Sequence, residues 1–227
     1  PQARPSQILG RIEADGTVMV LNRNGVIFDG TSQVNTRNLV VAAASMSDSQ
    51  FRDNGLYANN NAQPSFTDAA GAVRVERGAQ ITTRDPATST AGGGYVLLLG
   101  NEVENAGSIS TNRGQTLLAA GDDFVIRKGV GSDGNLTSTT RGNEVQALQV
   151  AGGSGAVRNS GIIQAASGDI TLAGRTVQQD GVLLASTSVD TRGTLHLKAS
   201  EAVTLGEGST SAILLLSLIH ISEPTRR

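Results

Sequence analysis

Few residues in this chain combine the types and spacing that catalysis needs. His196 lies in Thr194-Leu195-His196-Leu197-Lys198, an alternating run in which it faces away from the two leucines, so it reads as a solvent-facing strand residue and not a base or ligand. Asp122-Asp123 follows a glycine and could offer paired carboxylates to Ca²⁺, but it reads better as an exposed turn with two solvated charges. The glycine runs 92–94 and 152–155 suggest a phosphate cradle, but neither continues into Gly-x-Gly-x-x-Gly or a following Lys-Ser/Thr, and both read as corners. No nucleophile-elbow spacing organises the serines, and Asn135-Leu136-Thr137 is a chance-level glycosylation pattern. Turn chemistry is stronger: in Asn22-Arg23-Asn24-Gly25-Val26 the Asn side chains bond nearby backbone and Gly accepts a positive φ.

Such residues must be positioned by strands, because the pattern that recurs has period two. Val103-x-Asn105-x-Gly107-x-Ile109, Gly114 and Leu118-Ala119 return as Val157-x-Asn159-x-Gly161-x-Ile163, Gly168 and Leu172-Ala173, with every spacing kept. A degenerate third copy lacks the Asn and keeps Gly193, Leu195, Leu197 and Ala199. Repetition on this scale is the mark of a solenoid, each coil being too thin to bury its own apolar face. The expected fold is all-β, a right-handed parallel β-helix. Asn105 and Asn159 are expected to form an amide ladder, and Gly107 and Gly161 to allow the bends between faces.

Composition agrees. The 227 residues include 28 Gly, no Cys, no Trp and 3% aromatic residues against 38% hydrophobic, which suits narrow coils packed with aliphatic side chains. The formal charge of −2 with scattered signs leaves no basic footprint for nucleic acid. The absence of cysteine excludes disulfides and thiolate-held metal, and no metal or other cofactor is expected. Segment 52–68 breaks the strand pattern with Asn59-Asn60-Asn61 and Pro64 and reads as a solvated loop or excursion. Segment 39–47 fits either a buried strand or a short helix.

Both ends look cut. The chain starts with Pro1 and shows no leader pattern. The repeat logic fades around Ala212 to Leu215, and residues 216–227, which carry the run from Leu216 to Arg226, look like the translation of a sequencing adapter and not native protein.

The motif order resembles the N-terminal secretion domain of the filamentous haemagglutinin family, the exoproteins of two-partner secretion. The resemblance rests on Ile8 to Ile12, Gly16 to Leu21, Asn22 to Phe28, Thr31 to Asn35, Leu39 to Ser45 with Phe51, Gly93 to Gly100, and the Val-x-Asn-x-Gly repeats. That family carries Asn-Pro-Asn-Gly-Ile where this chain has Asn22, Arg23, Asn24, Gly25 and Val26. The resemblance implies that residues 1–215 are a secretion domain continuing into β-helix repeats, lacking its N-terminal cap. It implies export through the periplasm of a Gram-negative bacterium to the surface or medium, with the signal peptide outside this chain. It also implies recognition of the Asn22–Val26 motif by the periplasmic domains of an outer-membrane transporter of the TpsB type. Host-cell glycans or proteins would be partners of the downstream region, and nucleic acid would not. An alternative is an adhesive module binding host glycans or proteins along its flank. A β-helix polysaccharide lyase or hydrolase would need clustered carboxylates and cations on one face, and the acidic residues are scattered, so no enzyme activity is expected.

Overall fold

A computed structural model describes residues 4–59, 63–86, 92–129, 142–148, 155–187 and 193–215. The expectations for residues 216–227, for Asn135-Leu136-Thr137 and for Gly152 to Ser154 lie outside the described residues. Among the described residues all strands but two join one 16-stranded sheet, and every pairing in it is parallel. The fold is a parallel β-helix.

Three ladders run along it. The first stacks Ser6–Ile8, Val26–Phe28, Ala72–Val75, Glu102–Asn105 and Ala156–Asn159, then the second half of Asp169–Gln179 and of Thr194–Leu205. The second stacks the start of Arg11–Leu21, the start of Gln33–Ala42, Gln80–Thr83, Ser108–Ser110, Ile162–Ala165, Val182–Thr187 and Thr210–Leu215. The third stacks the ends of Arg11–Leu21 and Gln33–Ala42 on Tyr95–Gly100 and Gln115–Ala120. It continues through the first halves of Asp169–Gln179 and Thr194–Leu205. Thr210–Leu215 stays in register with Val182–Thr187, so the repeat runs through Ala212 to Leu215 and does not fade there; what fades is side-chain burial, with Leu215 at 72% exposure.

Inward-facing Val26, Phe28, Val34, Leu39, Val41, Val73, Ile81, Leu98, Val103, Ile109, Leu118, Val157, Ile163 and Leu172 form one continuous core. Each rung supplies only a few of these side chains, which is why aliphatics dominate and why coils depend on their neighbours. Outward positions of the first ladder alternate in charge, Arg74 lying near Glu104 (3.6 Å) and Glu102 (4.0 Å), pairs that are half exposed and contribute little.

A second core lies outside the helix. Two excursions leave from the end of the third ladder, one between Ala42 and Ala72, the other between Ala120 and Ala156. The first contains a helix, Asp48–Asn54, capped by the Ser47 hydroxyl accepting from the Gln50 N–H at 3.0 Å. The second forms an antiparallel pair, Asp123–Lys128 with Asn143–Leu148. Phe66, Phe124, Ile126 and Leu56 from these excursions bury the outer faces of Val40, Ala42, Leu97, Leu99, Leu117 and Ala119. Of the two readings of segment 52–68, the excursion is the one seen: its described residues belong to a packed cover and not to a solvated loop. Segment 39–47 is strand through Ala42, the helix beginning only at Asp48.

Candidate functional site

The Asn22–Gly25 turn ties the strand Ser6–Ile8 to the stack. Gly25 N–H donates to the Asn22 carbonyl at 2.8 Å, closing the turn, and Ser6 N–H donates to the Gly25 carbonyl at 2.9 Å. Asn22 accepts on Oδ1 from Asn24 N–H at 3.0 Å and donates through Nδ2 to Ser6 Oγ (2.9 Å) and the Arg4 carbonyl (3.0 Å). Arg23 occupies the second turn position, where Pro is also favoured, and its Nε donates to the Asp68 carbonyl at 3.1 Å in the cover. Gly25 has φ +121, and a Cβ there would lie 2.8 Å from the Ala72 carbonyl, so no other residue fits without strain. Val26 begins the next strand and is fully buried. Arg23 and Asn24 remain exposed.

The repeat residues form a buried polar column. Asn105 Nδ2 donates to Asn159 Oδ1 at 2.7 Å, and Asn159 Nδ2 donates to Gln179 Oε1 at 2.7 Å. Gln179 Nε2 donates to the Gly181 and Thr210 carbonyls at 3.0 and 3.2 Å. The third copy thus keeps the amide in a longer side chain, which a search for Asn alone passes over. Apolar Val75 and Leu205 flank the column in register, and Asn105 Oδ1 has no partner. Gly107 and Gly161 do not adopt a positive φ. Their reason is close approach, since a Cβ on Gly161 would lie 2.1 Å from the Gly107 carbonyl, and one on Gly181 equally near the Gly161 carbonyl.

The other candidates are structural. Asp123 Oδ1 accepts from Asp68 N–H at 2.9 Å and Asp122 Oδ1 from Asn101 Nδ2 at 3.1 Å, so both carboxylates lock the two excursions and the corner together. Among the described residues no three His, Cys, Asp or Glu side chains gather as a metal site. His196 sits on the outer face beside Thr171, with Leu195 and Leu197 packed on the inner core. The only two tyrosines, Tyr57 and Tyr95, pack against the outer core and hydrogen-bond each other. Burial raises both above the ordinary 10.0, and for Tyr95 the neighbouring Tyr57 adds to it.

A family model described as the TPS secretion domain matches residues 2–205. The heme/hemopexin-binding protein of Haemophilus influenzae is 30% identical over 168 residues, 74% of this chain, and the matched stretch spans 16% of that protein's length. With nearly its whole length matched, the chain belongs to the TPS secretion domain family.

Proposed function

We propose that this chain is the secretion-targeting and helix-nucleating module of a large secreted or surface exoprotein, recognised by an outer-membrane transporter of the TpsB type through the Asn22–Val26 motif. The observation that carries the reading is the turn itself. One exposed loop presents Arg23 and Asn24 outward while Asn22 and Gly25 hold the strand Ser6–Ile8 onto the stack. A solenoid folds by propagation between neighbouring coils. A module whose rungs are held to one another in this way templates the coils that emerge after it and opposes their sliding back. The role needs no bond-making chemistry, in keeping with a non-enzymatic module.

The test is export of the whole exoprotein with its transporter. An Asn24→Ala, Gly25→Ala double substitution is expected to lower the secreted fraction strongly. Asn24→Ala alone, which leaves the turn backbone intact, is expected to weaken export while the secreted product keeps its protease resistance. Unchanged export of the double variant would sink the proposal.

A second reading, direct adhesion, is favoured by one feature. The outward face of the second ladder carries a ridge of uncharged polar residues, Asn35, Thr82, Ser110 and Gln164, in register. Such a ridge suits hydroxyl-rich glycans or protein loops, and saturable binding of this chain to host-cell surfaces would support it.

A further inference from the structure

We propose that the free edge of the strand Asn143–Leu148 is a docking site for an extended peptide segment of a partner protein, which pairs with it as the next strand of the cover. Hydrogen bonding in an antiparallel pair alternates along each strand. Gly129 N–H donates to the Gly142 carbonyl at 2.8 Å, so Glu144 and Gln146, in phase with Gly142, turn their backbone groups towards Asp123–Lys128. Asn143, Val145 and Ala147 turn theirs the other way. Among the described residues no strand takes up that second edge.

Asn143 shows the edge in use. Gln115 donates through Nε2 to the Asn143 carbonyl at 2.6 Å and accepts on Oε1 from the Asn143 N–H at 2.8 Å. One side-chain amide thus makes both bonds that a neighbouring strand would make, and it reaches no further. Val145 and Ala147 offer the same donor and acceptor with nothing opposite them among the described residues. The Asn143 side chain adds an independent demand. It is 1% exposed, and neither its Nδ2 nor its Oδ1 has a partner, whereas buried amides are normally paired. Donors and acceptors alternating at strand spacing are what an extended polypeptide satisfies.

The edge overlooks a groove. Two adjoining hollows of about 800 and 300 Å³ share Glu144, Val145, Ala173 and Lys198. On its other side Asp123–Lys128 is bonded to the first excursion through Ala58 and Phe66, so the groove lies where the cover stops. Leu117 and Ala119 lie under the cover, and one coil later, in the same columns, Thr171 and Ala173 floor the groove. A further strand continues the cover–coil contact across them, its inward side chains resting on Thr171 and Ala173. Lys198, exposed on the far wall, makes no ion pair among the described residues, which favours an acidic side chain in the occupant. Pairing with the same strand of a second copy would need a two-fold axis normal to the sheet. That would set the second copy's coils on the side already filled by Thr171 and Ala173, so the occupant is a peptide and not another copy of this chain.

The test selects short random linear peptides, displayed on phage, against the 227-residue chain, with counter-selection on Val145→Pro. Proline there removes a donor that faces away from Asp123–Lys128, as edge strands tolerate. Sequences that alternate apolar and polar residues and carry an acidic one are expected to be enriched. They are expected to bind the chain about tenfold or more tightly than the proline variant and to slow amide exchange at Val145 and Ala147. Asn143→Leu is expected to weaken the same peptides while raising the unfolding midpoint, because it removes an unpaired amide. N-methylation of the peptide's pairing amides keeps every side chain and is expected to abolish binding. No sequence enriched over the Val145→Pro control, undiminished binding of the N-methylated peptide, or a concentration-dependent dimer that is lost in Val145→Pro overturns the proposal.

Discussion

On the outer face of the third ladder, Leu97 and Leu117 are buried, while Thr171 and His196, one and two coils further along the same column, are partly exposed. Next to them Leu99 and Ala119 give way to Ala173 and then Lys198. Backbone pairing is alike in the two regions, and the inward residues Leu98, Leu118, Leu172 and Leu197 are all apolar. The difference is the cover. Stacking decides the inner face of every coil, and whatever lies outside decides the outer face. Where Phe66 and Phe124 arrive, the strands are apolar on both sides, as buried sheets are.

The largest break in this comparison is expected from truncating the cover. Phe66→Ala or Phe124→Ala should lower stability by about 3–5 kcal/mol, read as a shifted denaturant midpoint, whereas Thr171→Ala on the uncovered half should stay within about 0.5 kcal/mol. Equal effects would mean the cover does not hold the fold.

The polar column belongs to the stacking that both halves share. Asn159→Leu strands a buried donor on Asn105 and a buried acceptor on Gln179, at about 1–3 kcal/mol for each group. Replacing Asn105, Asn159 and Gln179 together by Leu should recover much of that loss, because no side-chain amide is then left unpaired in the column. A triple variant worse than the single one would show that the amides specify register beyond their own bonds.

A smaller effect is expected at the glycine column. Gly161→Ala forces a Cβ against the Gly107 carbonyl and should cost about 1–3 kcal/mol, while Gly10→Ala, with nothing within 4 Å, should be tolerated.

The smallest sharpens the covered side through pH. Tyr57 and Tyr95 hold their protons more tightly folded than unfolded. As pH rises past about 10 the unfolded chain loses protons first and folding stability falls, while below that value the tyrosines add no pH dependence. Tyr95→Phe should flatten the alkaline limb of a stability–pH profile.

Much of this architecture was legible in the residues. Asn105, Asn159 and the glycines at matched offsets marked the coils, because identical side chains must stack on identical side chains. The outer core also left a trace that alternation-based reading missed. Leu39 to Ala44, Val96 to Leu99 and Leu117 to Ala120 are unbroken apolar runs, whereas Ile170 to Ala173 and Leu195 to Lys198 alternate, which separates strands buried on both faces from strands buried on one. The helix Asp48–Asn54 was signalled by Ser47-x-x-Gln50, a cap pattern, although Gln50 Nε2 turns instead to the Gly55 and Tyr57 carbonyls.

The sequence alone determined the coil, because a period of two, small residues at corners and matched amides are short-range requirements that each rung repeats against its neighbour. Only the tertiary structure decided which stretches fold back as cover and what they enclose. Phe66 and Phe124 lie far apart along the chain and meet in an isolated antiparallel bridge, and a pairing made once, across a long loop, leaves no periodicity to read.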